Sequence, residues 1–593
     1  MLSVGLQMIP EAVATGENQA LDVPQVEQIL AQAISQSIGK FKGTEVAVVV
    51  DREGNVLGTL ASTGAVNLPT PAGASLSPLS LIEGLATVRA RTAALFESDG
   101  EAFTTRTARF IIQNHFPPGI DNAAGGPLYG VQYSDLIGSD ILLPSQTPAV
   151  SGDPGGIPLY IHGVAVGGIG VAGDFHDVAA TPQLVSLTQN PLYDVNKKGA
   201  FYTGAEEYDF DEAVAQAGAK GFMAPPGIRA NTIFVGGLRL PFVAEGPARG
   251  NRNLSFAELT AGAMAAQTPV APQAVQIGTI QAGQYEMMNA VIGGVAGLIR
   301  DRANVLMSNV AGVPVYTSNG AALPHTNPQD SDPFANGDPS PNDPAAFLTT
   351  DDVIKIISQA VDQATNTRAG IRKPNGVHAE VHVVVVDLNG NVLGAFRMND
   401  GTNFSYDVAV QKARTAAYFS DDQHAFSTRA IGFMSQAFFP PGIQSQQAGP
   451  LFPLQNDLNE GPSTLANPLA PVTLEPQLSS KPYGGLADGI TIFPGGVPLY
   501  KNGHLVGAVG VSGDGVDQDD LISSTGANGF QPAAAIRSDS LPAASITSFI
   551  SSRISALPTT GFNVAKATTL LHRGLAKVRL PYVKFPRNPG VGH

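Results

Sequence analysis

The 593-residue chain contains no cysteine. That removes disulfide frameworks, thiolate metal sites, iron–sulfur clusters and cysteine nucleophiles together. Charge is also scarce, with 14% of residues charged against about a quarter in ordinary domains. Cations are the rarer sign: 34 Lys and Arg against 49 Asp and Glu give a formal net charge of −15 and an isoelectric point near 5.1. They are scattered along the sequence, which excludes a nucleic-acid surface. No apolar run reaches the ~18 residues of a membrane span. The first ten residues lack the basic and apolar regions of a secretory signal. The chain therefore reads as cytosolic or as a mature form, and the absence of cysteine favours an extracytoplasmic setting.

Glycine and proline are plentiful, at 66 and 45 residues, and 43% of the chain is hydrophobic. Such a composition describes a loop-rich globular protein able to bury a core, whereas a disordered chain would be poor in apolar residues and dense in charge. The length alone suggests three or four domains, at roughly 100 to 200 residues each.

An internal repeat sharpens this estimate. Residues 91–120 align without a gap to 414–443, with seventeen of thirty positions identical. The offset of 323 continues to Gly126-Pro127-Leu128 and Gly449-Pro450-Leu451, then becomes 340 for Gly155-Gly156-Ile157-Pro158-Leu159-Tyr160 and Gly495-Gly496-Val497-Pro498-Leu499-Tyr500. It pairs Gly173-Asp174 with Gly513-Asp514, Gly221-Phe222 with Gly561-Phe562, and Arg239-Leu240-Pro241 with Arg579-Leu580-Pro581. The chain reads as a tandem duplication, with a first domain at 21–245, a second at 349–585, and residues 246–348 between them. Within that connector, Val275 to Val310 is expected to form a helix, and Ser318 to Asn342, rich in Pro, Asp and Asn, a linker.

Each copy reads as an α+β domain. Val26, Ile29, Leu30, Ala33 and Ile34 have helical spacing, as do Val353, Ile356, Ile357, Ala360 and Val361. The β-branched runs 46–50 and 381–386, each followed by Asp-x-x-Gly-Asn, signal hairpins. Helices are expected near 82–96 and 102–114, with counterparts at 405–419 and 425–437. A second hairpin is expected at 157–171 and 497–511. Phe116-Pro117-Pro118-Gly119-Ile120 and its copy read as a rigid turn.

Several of these segments carry a family likeness. Val383 to Gly394, Asp407-Val408-Ala409 through Lys412-Ala413-Arg414-Thr415-Ala416, Gly495 to Leu499 and Gly507 to Gly513 resemble the haem-binding HbpS/GlcG-like family. The second copy matches well and the first more loosely. The resemblance implies two profilin-like domains, each an antiparallel sheet of about five strands flanked by helices, and a homo-oligomer. It also implies non-covalent binding of haem or another tetrapyrrole, with haem breakdown or redox sensing in some members. Since members have been linked to glycolate and propanediol operons, a small hydroxy acid is a further candidate ligand or substrate. A structural or assembly protein that kept the fold without a ligand is the alternative from another class.

Residues that recur at the repeat offset are the candidates for cofactor binding. No histidine recurs, which disfavours a shared His iron ligand. His424 or His115 could still serve one copy. Thr92 with Thr415 and Tyr160 with Tyr500 are the recurring oxygen donors, and the resemblance gives the threonine a claim as an iron-side contact. Against this stands an ordinary buried Thr bonded to backbone. Arg91 with Arg414, Arg106 with Arg429 and Arg239 with Arg579 are either carboxylate clamps or internal anchors. Lys412 opens the family-like run, and Arg89 stands in its place in the first copy. The strand glycines 167, 170 and 173 and their counterparts 507, 510 and 513 mark bulges or close backbone approach, and could admit a flat ligand or a neighbouring subunit. Asp174 and Asp177 recur as Asp514 and Asp517, joined in the second copy by Asp519 and Asp520; these carboxylates could hold a hard cation or open a helix. No catalytic triad, acid–base pair or zinc signature is present.

Overall fold

The computed structural model describes residues 19–111, 126–128, 151–174, 209–244, 253–300, 348–436, 439, 449–454, 490–557 and 563–584, apart from short breaks within these ranges. The Pro-Pro-Gly segments, the 318–342 linker, His115, His176 and Asp177 lie outside them.

In the first copy, α1 (Val23–Lys40) precedes a hairpin of β1 (Val46–Asp51) and β2 (Val56–Ser62). Then come α2 (Pro78–Leu95), α3 (Thr105–Ile111), a second hairpin of β3 (Gly156–Ile161) and β4 (Val164–Ala172), and α4 (Phe210–Gly218). The connector supplies β5 (Ala274–Ile277), β6 (Met287–Ile292) and β7 (Val295–Arg300). The second copy repeats the plan with α5 (Thr350–Thr365), β8 (His382–Val386), β9 (Val392–Met398), α6 (Ser405–Tyr418), α7 (Thr428–Met434), β10 (Gly496–Lys501), β11 (His504–Ser512) and α8 (Val516–Gly526). It then adds α9 (Ala543–Ser555) and α10 (Val564–Leu575).

Both sheets are antiparallel, in the orders β5-β2-β1-β4-β3 and β6-β7-β9-β8-β11-β10. Their registers coincide: Val48 lies opposite Thr59 and Gly170, and Val384 opposite Ala395 and Gly510. Even the bulges recur, at Val49/Val50 and Val385/Val386 and at Leu159/Tyr160 and Leu499/Tyr500. Along β1 the side chains alternate, as strand geometry requires. Ala47 and Val49 pack with α1 and α4, while Val46, Val48 and Val50 pack with Ile82, Ala86 and Ala90 of α2. Each copy is thus a sheet covered by helices on both faces.

The connector departs from the expected helix. The strands β5, β6 and β7 stand in its place, and they complete the sheets: β5 pairs with β2, and β7 with β9. A boundary at 245 therefore leaves out a strand of the first domain, and one at 349 leaves out two of the second. The apolar spacing misled because short apolar runs suit either period. In the sequence, Gly293-Gly294 between two six-residue runs is a hairpin signal.

Of the readings open for the strand glycines, the structure shows close backbone approach. A methyl group at Gly170 would collide with the Ala86 carbonyl oxygen of α2, and one at Gly510 with the Ala409 carbonyl oxygen of α6. Neither a ligand nor another subunit fills the space, because the copy's own helix backbone does. The second hairpin turn explains a mismatch between the copies. His162 and Asn502 both have φ near +50°, followed by Gly163 and Gly503 at +90° and +86°. Such a turn selects residues that tolerate positive φ, so His162 needs no ligand role to account for it.

The repeat alignment requires one correction. Phe222 and Phe530 play the same part, each accepting a 2.7 Å hydrogen bond from the backbone N–H of Tyr160 or Tyr500. Gly221-Phe222 therefore corresponds to Gly529-Phe530, at offset 308. The first copy carries extra residues before α4, and the second carries a compensating insertion that contains α9 and α10. Equal lengths returned the offset to 340 and hid the slip.

The α9–α10 insertion covers a face. Phe419 and Phe426 pack there with Ile546, Phe549 and Ile550. In the first copy the equivalent residues, Phe96 and Phe103, instead join a core shared with Phe404, Val408 and Ala409 of the second copy. The same surface is thus buried by the partner copy in one case and by added helices in the other.

Candidate functional site

The copies meet around the turn Ser98–Glu101. Asp400 accepts from the backbone N–H groups of Asp99 (2.6 Å) and Gly100 (2.9 Å), and it pairs with Arg372. Arg372 also donates to the Ser98 hydroxyl at 2.9 Å. Phe96 and Phe404 stack with ring centroids 4.2 Å apart. Beside this junction lies a cleft of about 280 Å3. Its apolar walls come from both copies, including Phe96, Phe103, Ile111 and Leu240 on one side and Ile371, Phe404, Val408 and Phe493 on the other. Its polar wall carries Glu101, Lys412, Asp514, Asp517 and Asp519.

Lys412 is the cation of this wall, and it is fully engaged. Its ammonium donates to Asp519 Oδ2 at 2.9 Å and to the Val511 carbonyl at 2.7 Å, with 1% of the residue exposed. Burial lowers its pKa, against the pull of Asp519. Asp519 is raised to about 6 by burial despite Lys412. Glu101 rises to about 8 because burial outweighs Arg372, and Asp514 and Asp400 add to the rise. Two groups outside the cleft behave alike: burial takes Asp51 to about 6 and, with Asp174 adding, Asp209 to about 7.

These shifts fix the sign of a pH dependence. An acid whose folded pKa exceeds its unfolded value favours the folded state when protonated, so its contribution is present below about pH 4 and is lost as pH rises through the folded value. We expect the urea midpoint to fall between pH 5 and pH 8. A midpoint that stays flat or rises over this interval would mean that these buried acids do not govern stability.

The other expected cofactor residues hold the scaffold. Thr415 accepts from the Thr491 backbone N–H at 2.9 Å. Thr92 accepts from that of Ser151 at 2.8 Å and donates to the Val88 carbonyl. Arg91 and Arg414 donate to the hairpin-turn carbonyls of Gly54 (3.0 Å) and Gly390 (2.9 Å). Arg106 pairs with Glu212, and Arg429 with Asp517 and Asp520, all at 2.8 Å. Tyr500 donates to the Asp421 carbonyl at 2.7 Å, and Tyr160 to that of Glu101 at 2.8 Å. Of the seven candidates Thr415, Arg414, Lys412, Arg429, Tyr500, Thr92 and Arg91, the cleft takes in Lys412. His424 bonds Asp421 and Ser545 and stacks on Phe549. Asp514 does not cap α8; it accepts from the amides of Gly370 (2.7 Å) and Ile371 (3.0 Å). Asp174, Asp209 and Asp211 place carboxylate oxygens within 4.8 Å of one another, and Arg89 donates to Asp211 at 2.8 Å.

Glu101 and the Arg372–Asp400 junction were not among the residues singled out from sequence, and Asp519 was singled out only as a hard-cation ligand or helix opener. Asp519-Asp520 recurs as Asp211-Glu212, but only at the 308 offset. Glu101 faces His424 in the alignment and so gave no repeat signal.

Residues 348–528 match the model of a family described as haem degrading protein HbpS-like. An uncharacterized 15.0 kDa protein from the dhaT-dhaS intergenic region of Citrobacter freundii is 30% identical over 154 residues, 26% of this chain and 78% of that protein. Among solved structures, a PduOC:heme complex is 24% identical with a TM-score of 0.19, covering 31% of this chain and 94% of its own. The Klebsiella pneumoniae protein ORFY is 23% identical with a TM-score of 0.19, covering 30% and 86%. HbpS is 22% identical with a TM-score of 0.18, covering 31% and 89%. Among the described residues, no helix is long and apolar enough to cross a membrane.

Proposed function

The chain belongs to the HbpS-like family, and from that premise we propose that it binds a small, largely apolar ligand non-covalently in the cleft between its two copies. The observation that carries this reading is the cleft itself, an aromatic and aliphatic recess with a few convergent polar groups, which is the usual make-up of a small-molecule site. The family description and the haem complex of a relative make haem the first compound to test. The ring-lined walls suit the faces of a macrocycle. The polar wall does not suit the rest of a haem. Its described lining residues include no His, Tyr or Met to ligate iron, and its carboxylates oppose two propionates.

A neutral dye whose fluorescence rises in apolar surroundings, such as Nile red, tests the cleft. Wild-type protein should bind it, and Val408→Arg, which places a charge in the wall, should weaken binding at least tenfold. Absence of dye binding to wild type would favour the structural alternative, a fold kept without a ligand. Hemin titrated into the purified protein should leave the Soret band where free hemin has it. A shifted band retained in Val408→Arg would move the haem site to residues away from the cleft. Thr415→Ala should cost about 1–2 kcal/mol of stability, because it orphans the buried Thr491 amide. Dye affinity in that variant should stay within twofold of wild type.

A further inference from the structure

The polar wall of the cleft has an imbalance that a ligand would have to answer. Three buried carboxylate oxygens there have no hydrogen-bond donor: Glu101 Oε2, Asp514 Oδ2 and Asp519 Oδ1. Glu101 is the most telling, because it is 1% exposed and its nearest cation is Arg372, at 3.7 Å and beyond hydrogen-bond reach. Arg372 stands 3.9 Å from Asp514 Oδ2. Lys412 is already committed to the other oxygen of Asp519 and to a backbone carbonyl. The wall therefore has acceptors to spare and, among the described lining residues, no spare cation. The same cleft is lined by Phe96, Phe404 and Phe493, and aromatic rings attract cations.

Resting on the reading of the cleft as the ligand site, we propose that the ligand carries a cationic nitrogen on an apolar body. The charge sits against Glu101, Asp514 and Asp519, and the body lies among the phenylalanine rings. Acceptors without donors are costly when buried, and an ammonium or guanidinium group supplies several donors together with the compensating charge. A carboxylate or phosphate would add acceptors and negative charge to a wall that already has both in excess.

The pH dependence follows from the groups that face Glu101. Arg372 follows α5, Asp400 follows β9, Asp514 follows β11, Asp519 lies on α8 and Tyr160 on β3. Glu101 ionises near pH 8 in this setting, so a cation binds more tightly as pH rises from 6.5 to 8.5, where an alkylamine remains protonated.

Three probes of one shape test the proposal by calorimetry on the full chain at pH 8: 4-phenylbutylamine, 4-phenylbutanol and 4-phenylbutyrate. The amine is expected to bind at least tenfold more tightly than the alcohol, and the carboxylate more weakly than either. Glu101→Gln, close in shape to the protonated acid, should cut the amine's advantage over the alcohol to less than threefold. Equal affinity of amine and alcohol, or tighter binding of the carboxylate, would overturn the cationic ligand and leave the cleft standing. Binding of calcium chloride without binding of the amine would do the same, since the site would then be one for a metal ion. If none of the three probes binds and Nile red does not bind either, the cleft is not the ligand site and both readings fall.

Discussion

Gly510→Ala should destabilise the second copy by about 3 kcal/mol or more, the upper end of what overpacking costs. A methyl group at this position would overlap the Ala409 carbonyl oxygen and crowd the Ala413 amide, both in the backbone of α6. Backbone cannot turn aside as a flexible side chain can, so the whole helix must lift from β11. That movement loosens Ala409 and Ala413 from the core they share with Val384 and Ala508, and it shifts Lys412 away from Asp519. Gly503→Ala provides the comparison. It has positive φ, at +86°, and nothing stands within 4 Å of an added methyl, so the substitution costs only local strain of about 1 kcal/mol. Urea denaturation of both variants, with hydrogen exchange to locate the loss, decides the matter. Equal effects at the two positions would mean that helix and strand are not in backbone contact at Gly510.

The same glycines show where sequence reasoning had reach. The duplication made Gly170 and Gly510 conspicuous, and their place in strands pointed to close backbone approach. It could not say what came close, because a missing side chain is compatible with a ligand, a subunit or a helix. The alternating β1 and β8 strands, the paired hairpins and the α+β class were legible because each rests on local periodicity and turn chemistry. The connector strands were not, since β5 and β7 are defined by the strands they pair with, far away in sequence. The site was the least legible part. Recurrence favours residues that both copies need for folding, such as Arg91 and Arg414 on their turns or Thr92 and Thr415 on their loops. A cleft between copies is built from what the copies do not share: Glu101 stands where the other copy has His424, and Arg372 docks only one way.

Lys412→Met should cost the second copy about 3–5 kcal/mol at pH 8, the usual loss when one partner of a buried ion pair is removed. Methionine fills much of the volume of the lysine stem, so packing contributes little to this figure. What remains is Asp519, 2% exposed, facing the Val511 carbonyl without the ammonium that served both. The loss depends on pH in a defined direction. Asp519 titrates near 6 with Lys412 present, and removing the cation can only raise that value further. At pH 5 the acid is neutral in the variant, and the penalty should shrink to about half or less. Asp519→Asn combined with Lys412→Met removes both charges and should recover most of the stability at pH 8, as buried pairs replaced on both sides often do. Lys412→Arg is expected to be nearly neutral, because the first copy already runs this arrangement with Arg89, which donates to Asp211 and to the Val171 carbonyl at 2.8 Å each. A single Lys412→Met variant as stable as wild type at pH 8 would place Asp519 in contact with water and remove the wall from which the cleft draws its charge.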